Sequence, residues 1–144
     1  MSALHLHCDC HSVTFTLTGD PLVKAYCHCA SCRNLHQAPV VSVSAWQEDQ
    51  FSLTSDPADL GSYRYPGKSM QRFWCKHCGC VLFNTNRFNY YVVPQGLLRK
   101  HFDGPLPESW QPQLHLYYGE RIMDVADQLT KYQEGFDGPE WHSE

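Results

Sequence analysis

The chain has 144 residues, with 15 acidic and 11 basic side chains that give a formal net charge of −4 at pH 7. Binding to nucleic acid or to an anionic lipid surface depends on clustered positive charge, so we expect neither partner. The length suits one domain with a core of its own. No apolar run approaches the roughly 18 residues that cross a bilayer, and the first ten residues do not resemble a secretory signal. We therefore expect a cytoplasmic protein.

Alternating apolar and polar residues predict a mainly β protein. The first two such runs cover residues 4–8 and 13–18, and they are joined at Asp9-Cys10-His11, so they are expected to form a hairpin. Further strands are predicted at residues 24–29, 40–46, 51–54, 62–65, 71–75, 81–84 and 90–93. Glycine, proline, asparagine and aspartate mark most of the gaps between them.

The end of the chain carries the helical signal. Ile122, Val125, Ala126 and Leu129 recur at i, i+3, i+4 and i+7, which predicts a short C-terminal helix. The segment 135–144 is acidic and polar, with two glycines and a proline, and is expected to fray. We therefore predict a single domain at residues 1–134, followed by a frayed acidic tail at residues 135–144.

Seven of the eight cysteines fall into three short clusters with the spacing of zinc ligands. The clusters are Cys8-x-Cys10, Cys27-x-Cys29-x-x-Cys32 and Cys75-x-x-Cys78. In an extended chain residues i and i+2 point to the same side, so both thiols of a C-x-C pair can reach one metal ion. In a reducing cytosol such cysteines stay thiols or bind metal.

One division of these thiols gives two different sites. The first would be a closed, structural site with four thiolates, from Cys8, Cys10, Cys75 and Cys78. The second would hold a reactive metal with an open position, on Cys27, Cys29 and Cys32. Three ligands leave room for water or a substrate, so the metal can act as a Lewis acid. The alternative is that Cys80 or a histidine completes the second site and that both sites are structural.

Several neighbouring residues are candidates for further roles. Arg33 follows the last thiol of the second cluster and is able to offset negative charge or hold an anionic substrate. His36 is a candidate proton carrier at the open site. His28 lies between two thiols and is expected to point into solvent, and Cys80 is expected to be a small buried apolar residue.

The cysteine motifs resemble the family of glutathione-dependent formaldehyde-activating enzymes, which also includes centromere protein V. The resemblance spans roughly residues 5 to 83, with a weaker likeness near residues 114–118. The matching motifs are Cys8-Asp9-Cys10, Cys27-His28-Cys29-Ala30-Ser31-Cys32-Arg33 and Phe73-Trp74-Cys75-Lys76-His77-Cys78-Gly79. Family members usually carry glycine after the first C-x-C and again a few residues after C-R, where this chain has His11 and Gln37.

The resemblance implies a β-tent of antiparallel sheets stapled by zinc, and a single zinc-binding domain of this family at residues 1–134. It also implies the ligand division given above, with a structural zinc on the first four thiols and a reactive zinc on the other three. Two Zn²⁺ ions per chain are then the expected cofactors.

The first functional hypothesis is a zinc-dependent carbon–sulfur lyase, which adds a thiol such as glutathione reversibly to formaldehyde or another small aldehyde. Its partners would be a small-molecule thiol, an aldehyde or both. The alternatives are a zinc enzyme that acts on another carbonyl or on an imine, and a non-catalytic, zinc-stapled binding module. A thiol redox protein is disfavoured, because C-x-x-C redox motifs sit in a βαβ context that this strand-rich chain lacks.

Overall fold

The computed structural model describes residues 3–102 and 104–143. The strands are β1 Ala3–His7, β2 Thr14–Thr18, β3 Val23–Cys27, β4 Val41–Trp46, β5 Phe51–Leu53, β6 Leu60–Arg64, β7 Gln71–Cys75, β8 Val81–Thr85, β9 Tyr91–Pro94, β10 Leu114–Leu116 and β11 Thr130–Lys131. The α-helices are α1 Ala30–His36 and α2 Gln95–Arg99, and single 3-10 turns lie at Glu48–Gln50, Pro57–Asp59, Glu108–Trp110 and Tyr118–Glu120. The predicted mainly β fold is confirmed. No helix in these ranges is long and apolar enough to span a membrane.

The smaller sheet has the order β1-β2-β5 and is antiparallel. Strands β1 and β2 form the predicted hairpin, in which Leu6 pairs with Phe15. Both side chains are buried because alternate residues of each strand face the interior. The connecting loop is closed by a hydrogen bond from the Cys8 N–H to the Val13 carbonyl. This hairpin therefore places the first C-x-C pair at one end of the small sheet.

The larger sheet has the order β11-β10-β3-β4-β9-β8-β7-β6. Its strands pair antiparallel from β3 to β6, whereas β10 runs parallel to both β3 and β11. Antiparallel pairing, as expected, thus dominates the sheet, and the parallel pairs lie at this edge. A parallel pair needs a long crossover connection, and most of the chain lies between β3 and β10.

The large sheet is covered on both faces at β4. Trp46 belongs to one apolar cluster, together with Leu6 and Phe15 of the small sheet. Val43 and Ala45 belong to a second cluster. Because successive strand residues point to opposite faces, β4 separates the two interiors. The first apolar cluster includes Cys8 and Cys75, and the second apolar cluster includes Cys27 and Cys32. The two groups of thiols therefore belong to opposite faces of β4.

The predicted C-terminal helix is wrong, since residues 121–129 form no helix. Ile122, the first residue of the apolar pattern, is 63% exposed, so the pattern does not mark one buried face. Side chains also satisfy backbone groups that a helix would pair internally. The Val125 N–H donates to the Tyr118 hydroxyl at 3.0 Å, and the Leu129 N–H donates to Asp127 at 3.1 Å. Such local side-chain bonds compete with the helical ladder.

The acidic tail contacts the rest of the chain. Asp137 lies 2.8 Å from the Arg87 guanidinium, and the Trp141 ring packs edge-on against Tyr118 at a centroid distance of 4.8 Å. The division into a domain at residues 1–134 and a tail at residues 135–144 stays a prediction.

Candidate functional site

The first thiol cluster joins the two sheets. The β1–β2 loop supplies Cys8 and Cys10, the end of β7 supplies Cys75, and the turn between β7 and β8 supplies Cys78. The Cys10 sulfur lies 3.6 Å from that of Cys8 and 3.7 Å from that of Cys75. All four sulfurs lie within 4.8 Å of one another.

Backbone donors surround these sulfurs. The Val13 N–H donates to the Cys8 sulfur and the His77 N–H donates to the Cys75 sulfur, each at 3.3 Å. Hydrogen bonding to Ser12 lowers the pKa of Cys10 to about 6. Gly79 closes the turn with a φ of +76°, a conformation that glycine adopts without a Cβ clash. The loop backbones are therefore arranged to stabilise thiolates.

The sulfur spacing fits zinc. A tetrahedral ion with Zn–S bonds of about 2.3 Å holds its sulfurs about 3.8 Å apart, close to the separations of 3.6 and 3.7 Å seen here. All the thiols are free rather than joined in disulfides. The four thiols could therefore hold one metal ion, and their spacing is compatible with zinc.

The second cluster lies where β3 runs into α1. Cys27 ends β3, Cys29 caps the N-terminus of α1, and Cys32 lies in the first turn of that helix. The sulfurs of Cys27 and Cys29 are 3.4 Å apart, and all three sulfurs lie within 4.8 Å of one another. The Cys32 N–H donates to the Cys29 sulfur at 3.3 Å. The cap of α1 thus brings the third thiol to the first two.

Without a metal ion the three thiols share negative charge unequally. Hydrogen bonds from Cys27 and Cys32 lower the pKa of Cys29 to about 3. The hydrogen bond to Cys29 and burial raise the pKa of Cys27, and hydrogen bonds to Cys27 and Cys29, with burial, raise that of Cys32. One thiolate between two thiols results, which is a soft, electron-rich donor set.

No fourth cysteine, histidine or carboxylate in residues 3–102 and 104–143 joins this trio within 4.8 Å. Cys80, one alternative ligand, instead packs against the first apolar cluster, and burial raises the pKa of its thiol. This arrangement favours a site of three thiols with an open position over a site in which Cys80 is the fourth ligand.

A cavity of about 200 Å³ opens beside the second cluster. All three thiols of that cluster line it, whereas none of the first cluster does. Its other walls come from the apolar side chains of β4, β9 and β10, and from the segments 68–70, 84–88 and 135–136. The open side of the thiol trio therefore faces a space that a small molecule can enter.

Arg33 and His36 do not line this cavity. The Arg33 guanidinium donates to the backbone carbonyls of His28 at 3.0 Å and Glu120 at 3.2 Å. It therefore ties the thiol-bearing loop to the segment after β10. His36 is half-buried on α1, and burial lowers the pKa of its imidazole.

The prediction that His28 points into solvent is wrong, because its side chain is fully buried. Its Nε2 lies 2.8 Å from His115 Nδ1, and His115 Nε2 lies 2.7 Å from an oxygen of Asp127. Because β3 ends at Cys27, His28 leaves the strand alternation and turns toward β10. Sequence reasoning missed His115 and Asp127, although the weak likeness near residues 114–118 contained the first of them.

Tyr117 is a further cavity residue that sequence reasoning missed. Its backbone is left-handed, with a φ of +55°. Such strain in a non-glycine residue is concentrated at functional sites. Burial, the largest cause, and the nearby charge of Cys29 raise the pKa of its phenol against the opposing effect of Arg87. Tyr117 therefore offers a protonated hydroxyl group beside the thiols.

His11 and Gln37, which stand where family members usually carry glycine, also have left-handed backbones. The φ values are +66° at His11 and +51° at Gln37, the residue that ends α1. Glycine adopts this conformation freely, whereas other L-residues are strained in it. The conformation therefore explains why glycine suits both positions.

Comparisons with known proteins agree with the geometry. A crystal structure of a Rhodobacter sphaeroides protein is similar to this chain with a TM-score of 0.56 and 16% identity, covering 74% of this chain and 94% of that one. That likeness shows the fold alone. No curated protein sequence matches. The model of the family described as glutathione-dependent formaldehyde-activating enzyme matches residues 3–120. This chain therefore belongs to the glutathione-dependent formaldehyde-activating enzyme family.

Proposed function

We propose that this chain is a zinc-dependent carbon–sulfur lyase that adds a thiol reversibly to a small carbonyl compound. The observation that carries the proposal is the asymmetry between the thiol clusters. Four thiols converge away from the cavity, while three thiols converge on its wall. The family's description, a glutathione-dependent enzyme that activates formaldehyde, supports the same reaction class.

In this reaction the thiol sulfur bonds to the carbonyl carbon and the carbonyl π bond opens. The thiol proton ends on the new hydroxyl oxygen, and the reverse reaction breaks the same carbon–sulfur bond. No oxidant or reductant is needed. Bound by Cys27, Cys29 and Cys32, zinc would supply a Lewis acid that favours a thiolate over a thiol and polarises a carbonyl group.

The chain's own side chains supply the rest. The walls from β4 and β9 are apolar and offer water no hydrogen-bond partners, which would limit competing hydration of an aldehyde. Tyr117 keeps its proton, so its hydroxyl is available as a hydrogen-bond donor to the carbonyl oxygen. Arg33 holds the loop that carries Cys29 in place through its two backbone contacts.

The test is turnover by the zinc-loaded protein, followed by NMR with a panel of thiols and carbonyl compounds that includes glutathione and formaldehyde. We expect hemithioacetal formation above the background rate with the native chain. Cys29→Ser is the matched control, because it removes a ligand of the second cluster and leaves the first intact. If no thiol and carbonyl pair reacts above background, the lyase proposal is wrong and the binding-module alternative takes its place.

A further inference from the structure

The cavity beside the second thiol cluster is small. Its volume is about 200 Å³, whereas sites that enclose a drug-sized ligand have roughly 300 to 1,000 Å³. A tripeptide such as glutathione would place only its thiol end inside. The volume suits a compact thiol or carbonyl compound.

The cavity walls are mainly apolar. Val43, Ala45 and Val92 line its inner part next to the thiols. Two phenylalanines stand at the mouth, Phe88 and Phe136, which are 37% and 38% exposed. Their ring centroids are 5.8 Å apart. Exposed aromatic side chains that cluster at a cavity mouth indicate a binding surface for an apolar group.

Glutathione carries two carboxylates and one ammonium group, and the cavity lining has few free cations for the carboxylates. Arg87 is already paired with Asp137, at 2.8 and 3.1 Å from its two oxygens, and its guanidinium stacks over the Phe88 ring at 4.4 Å. The remaining charged residues of the lining are Lys68 and Glu120, which are of opposite sign. In the described lining, Lys68 is therefore the one cation outside an ion pair, whereas glutathione has two carboxylates to bind.

Part of this mouth lies outside the family match. The matched residues end at 120, whereas Gly135 and Phe136 line the cavity from the acidic tail. The Arg87–Asp137 pair holds this tail segment against the loop that carries Phe88. The tail thus places the Phe136 ring at the mouth. Its Asp137 also pairs with Arg87, which could otherwise have bound a carboxylate of the substrate.

We propose, building on the proposed function, that the substrate of this site is a small, uncharged, apolar thiol or aldehyde rather than glutathione. Its apolar group would pack against Phe88 and Phe136, and its sulfur or oxygen would point toward Cys27, Cys29 and Cys32. The tail is then a specificity element of the site.

Cobalt-loaded protein tests this without requiring turnover, since a thiol that binds at a thiolate-ligated cobalt ion changes its absorption spectrum. The probes are phenylmethanethiol, which is apolar, and glutathione. We expect phenylmethanethiol to bind at least about tenfold more tightly than glutathione. Phe136→Ala should weaken phenylmethanethiol binding by about tenfold, the loss that partial removal of a buried phenyl group produces, and should leave glutathione binding unchanged.

Ile122→Ala is the matched control, because Ile122 is an exposed apolar residue that does not line the cavity. It should bind both thiols like the native chain, and the melting temperatures of both variants show whether they are folded. Glutathione binding as tight as phenylmethanethiol binding would overturn the inference and leave the lyase proposal standing. If neither thiol changes the cobalt spectrum, the open position itself is absent and both proposals fail.

Discussion

The imidazole of His28 lies 2.8 Å from that of His115, and both rings are fully buried. His115 Nε2 faces Asp127 at 2.7 Å, so it donates to the carboxylate and its Nδ1 is left as an acceptor. His28 must then donate from Nε2. Burial, together with the neighbouring His115, lowers the pKa of His28 to about 4, which keeps it neutral. Asp127 therefore fixes the tautomers of both rings behind the second thiol cluster.

This chain of hydrogen bonds predicts that His115→Ala weakens zinc binding at the second cluster. The substitution leaves a buried His28 donor unpaired and opens a cavity, so we expect a loss of about 2–4 kcal/mol in the free energy of unfolding. Loss of support behind the ligands should lower the zinc affinity of that cluster about tenfold or more. Urea unfolding and chelator competition measure the two effects.

His77→Ala is the control for this prediction. His77 also lies between two thiols and contacts a carboxylate, that of Asp59, at 2.7 Å, but its side chain is 55% exposed. Exposed pairs of this kind contribute little, so the variant should keep its stability and its zinc. An equal loss in both variants would contradict the role given to the buried chain.

The two clusters predict opposite consequences of losing one thiol. Cys78→Ala removes a ligand that joins the β1–β2 loop to the β7–β8 turn, and binding free energy at such a site is folding free energy. We expect that variant to unfold far below the native melting temperature. Cys29→Ala should remain folded with one zinc ion per chain, as counted by native mass spectrometry. Two retained ions in Cys29→Ala, or native-like melting of Cys78→Ala, would show that the ligands are divided wrongly.

Because the backbone at Gln37 is left-handed, glycine should be more stable than alanine at this position, which is the reverse of the preference inside a helix. A non-glycine residue in this conformation loses about 1–2 kcal/mol, so Gln37→Gly should be more stable than Gln37→Ala by about 1 kcal/mol. Asn34 lies within α1 and is exposed, and there alanine should be favoured over glycine by a similar amount. The same sign at both positions in chemical denaturation would contradict the assigned backbone.

The proton distribution in the second cluster predicts how zinc affinity depends on pH. Cys29, with a pKa of about 3, is ionised at neutral pH, whereas the raised pKa values of Cys27 and Cys32 keep those thiols protonated. Zinc binding must then release two protons, so affinity should rise about a hundredfold per pH unit near neutrality and fall as pH is lowered. Chelator competition across this range measures the slope. A slope of three protons would show that Cys29 is a thiol.

The sequence predicts strands β1 to β9 and the three cysteine motifs because both depend on local signals, but it misses β10 and β11. Alternation along β1 and β4 reflects the pleat itself, and the C-x-C and C-x-x-C spacings bring their sulfurs together without help from distant residues. The failures depend on distant partners. Asp127 fits the polar face of a helix by spacing, but its carboxylate accepts from His115 and from Leu129 instead. His28 is buried only because β10 lies beside β3.

The cavity likewise was not predictable in detail. Its inner wall follows from the buried face of β4, but its mouth depends on Phe136, which the composition of residues 135–144 assigns to a frayed tail. The contact of Asp137 with Arg87 that holds this residue joins positions 50 apart in the chain, and no local pattern marks it.

The proposed function requires one site with four thiolates and a second site with three thiolates and an open position. X-ray absorption at the zinc edge of the fully loaded protein tests this most directly, with Cys80→Ser as the matched variant. We expect seven sulfur ligands shared by the two ions, from the two groups of thiols, together with one lighter ligand, and the same spectrum for Cys80→Ser. Eight sulfurs in the native protein, with one lost in Cys80→Ser, would show that both sites are closed.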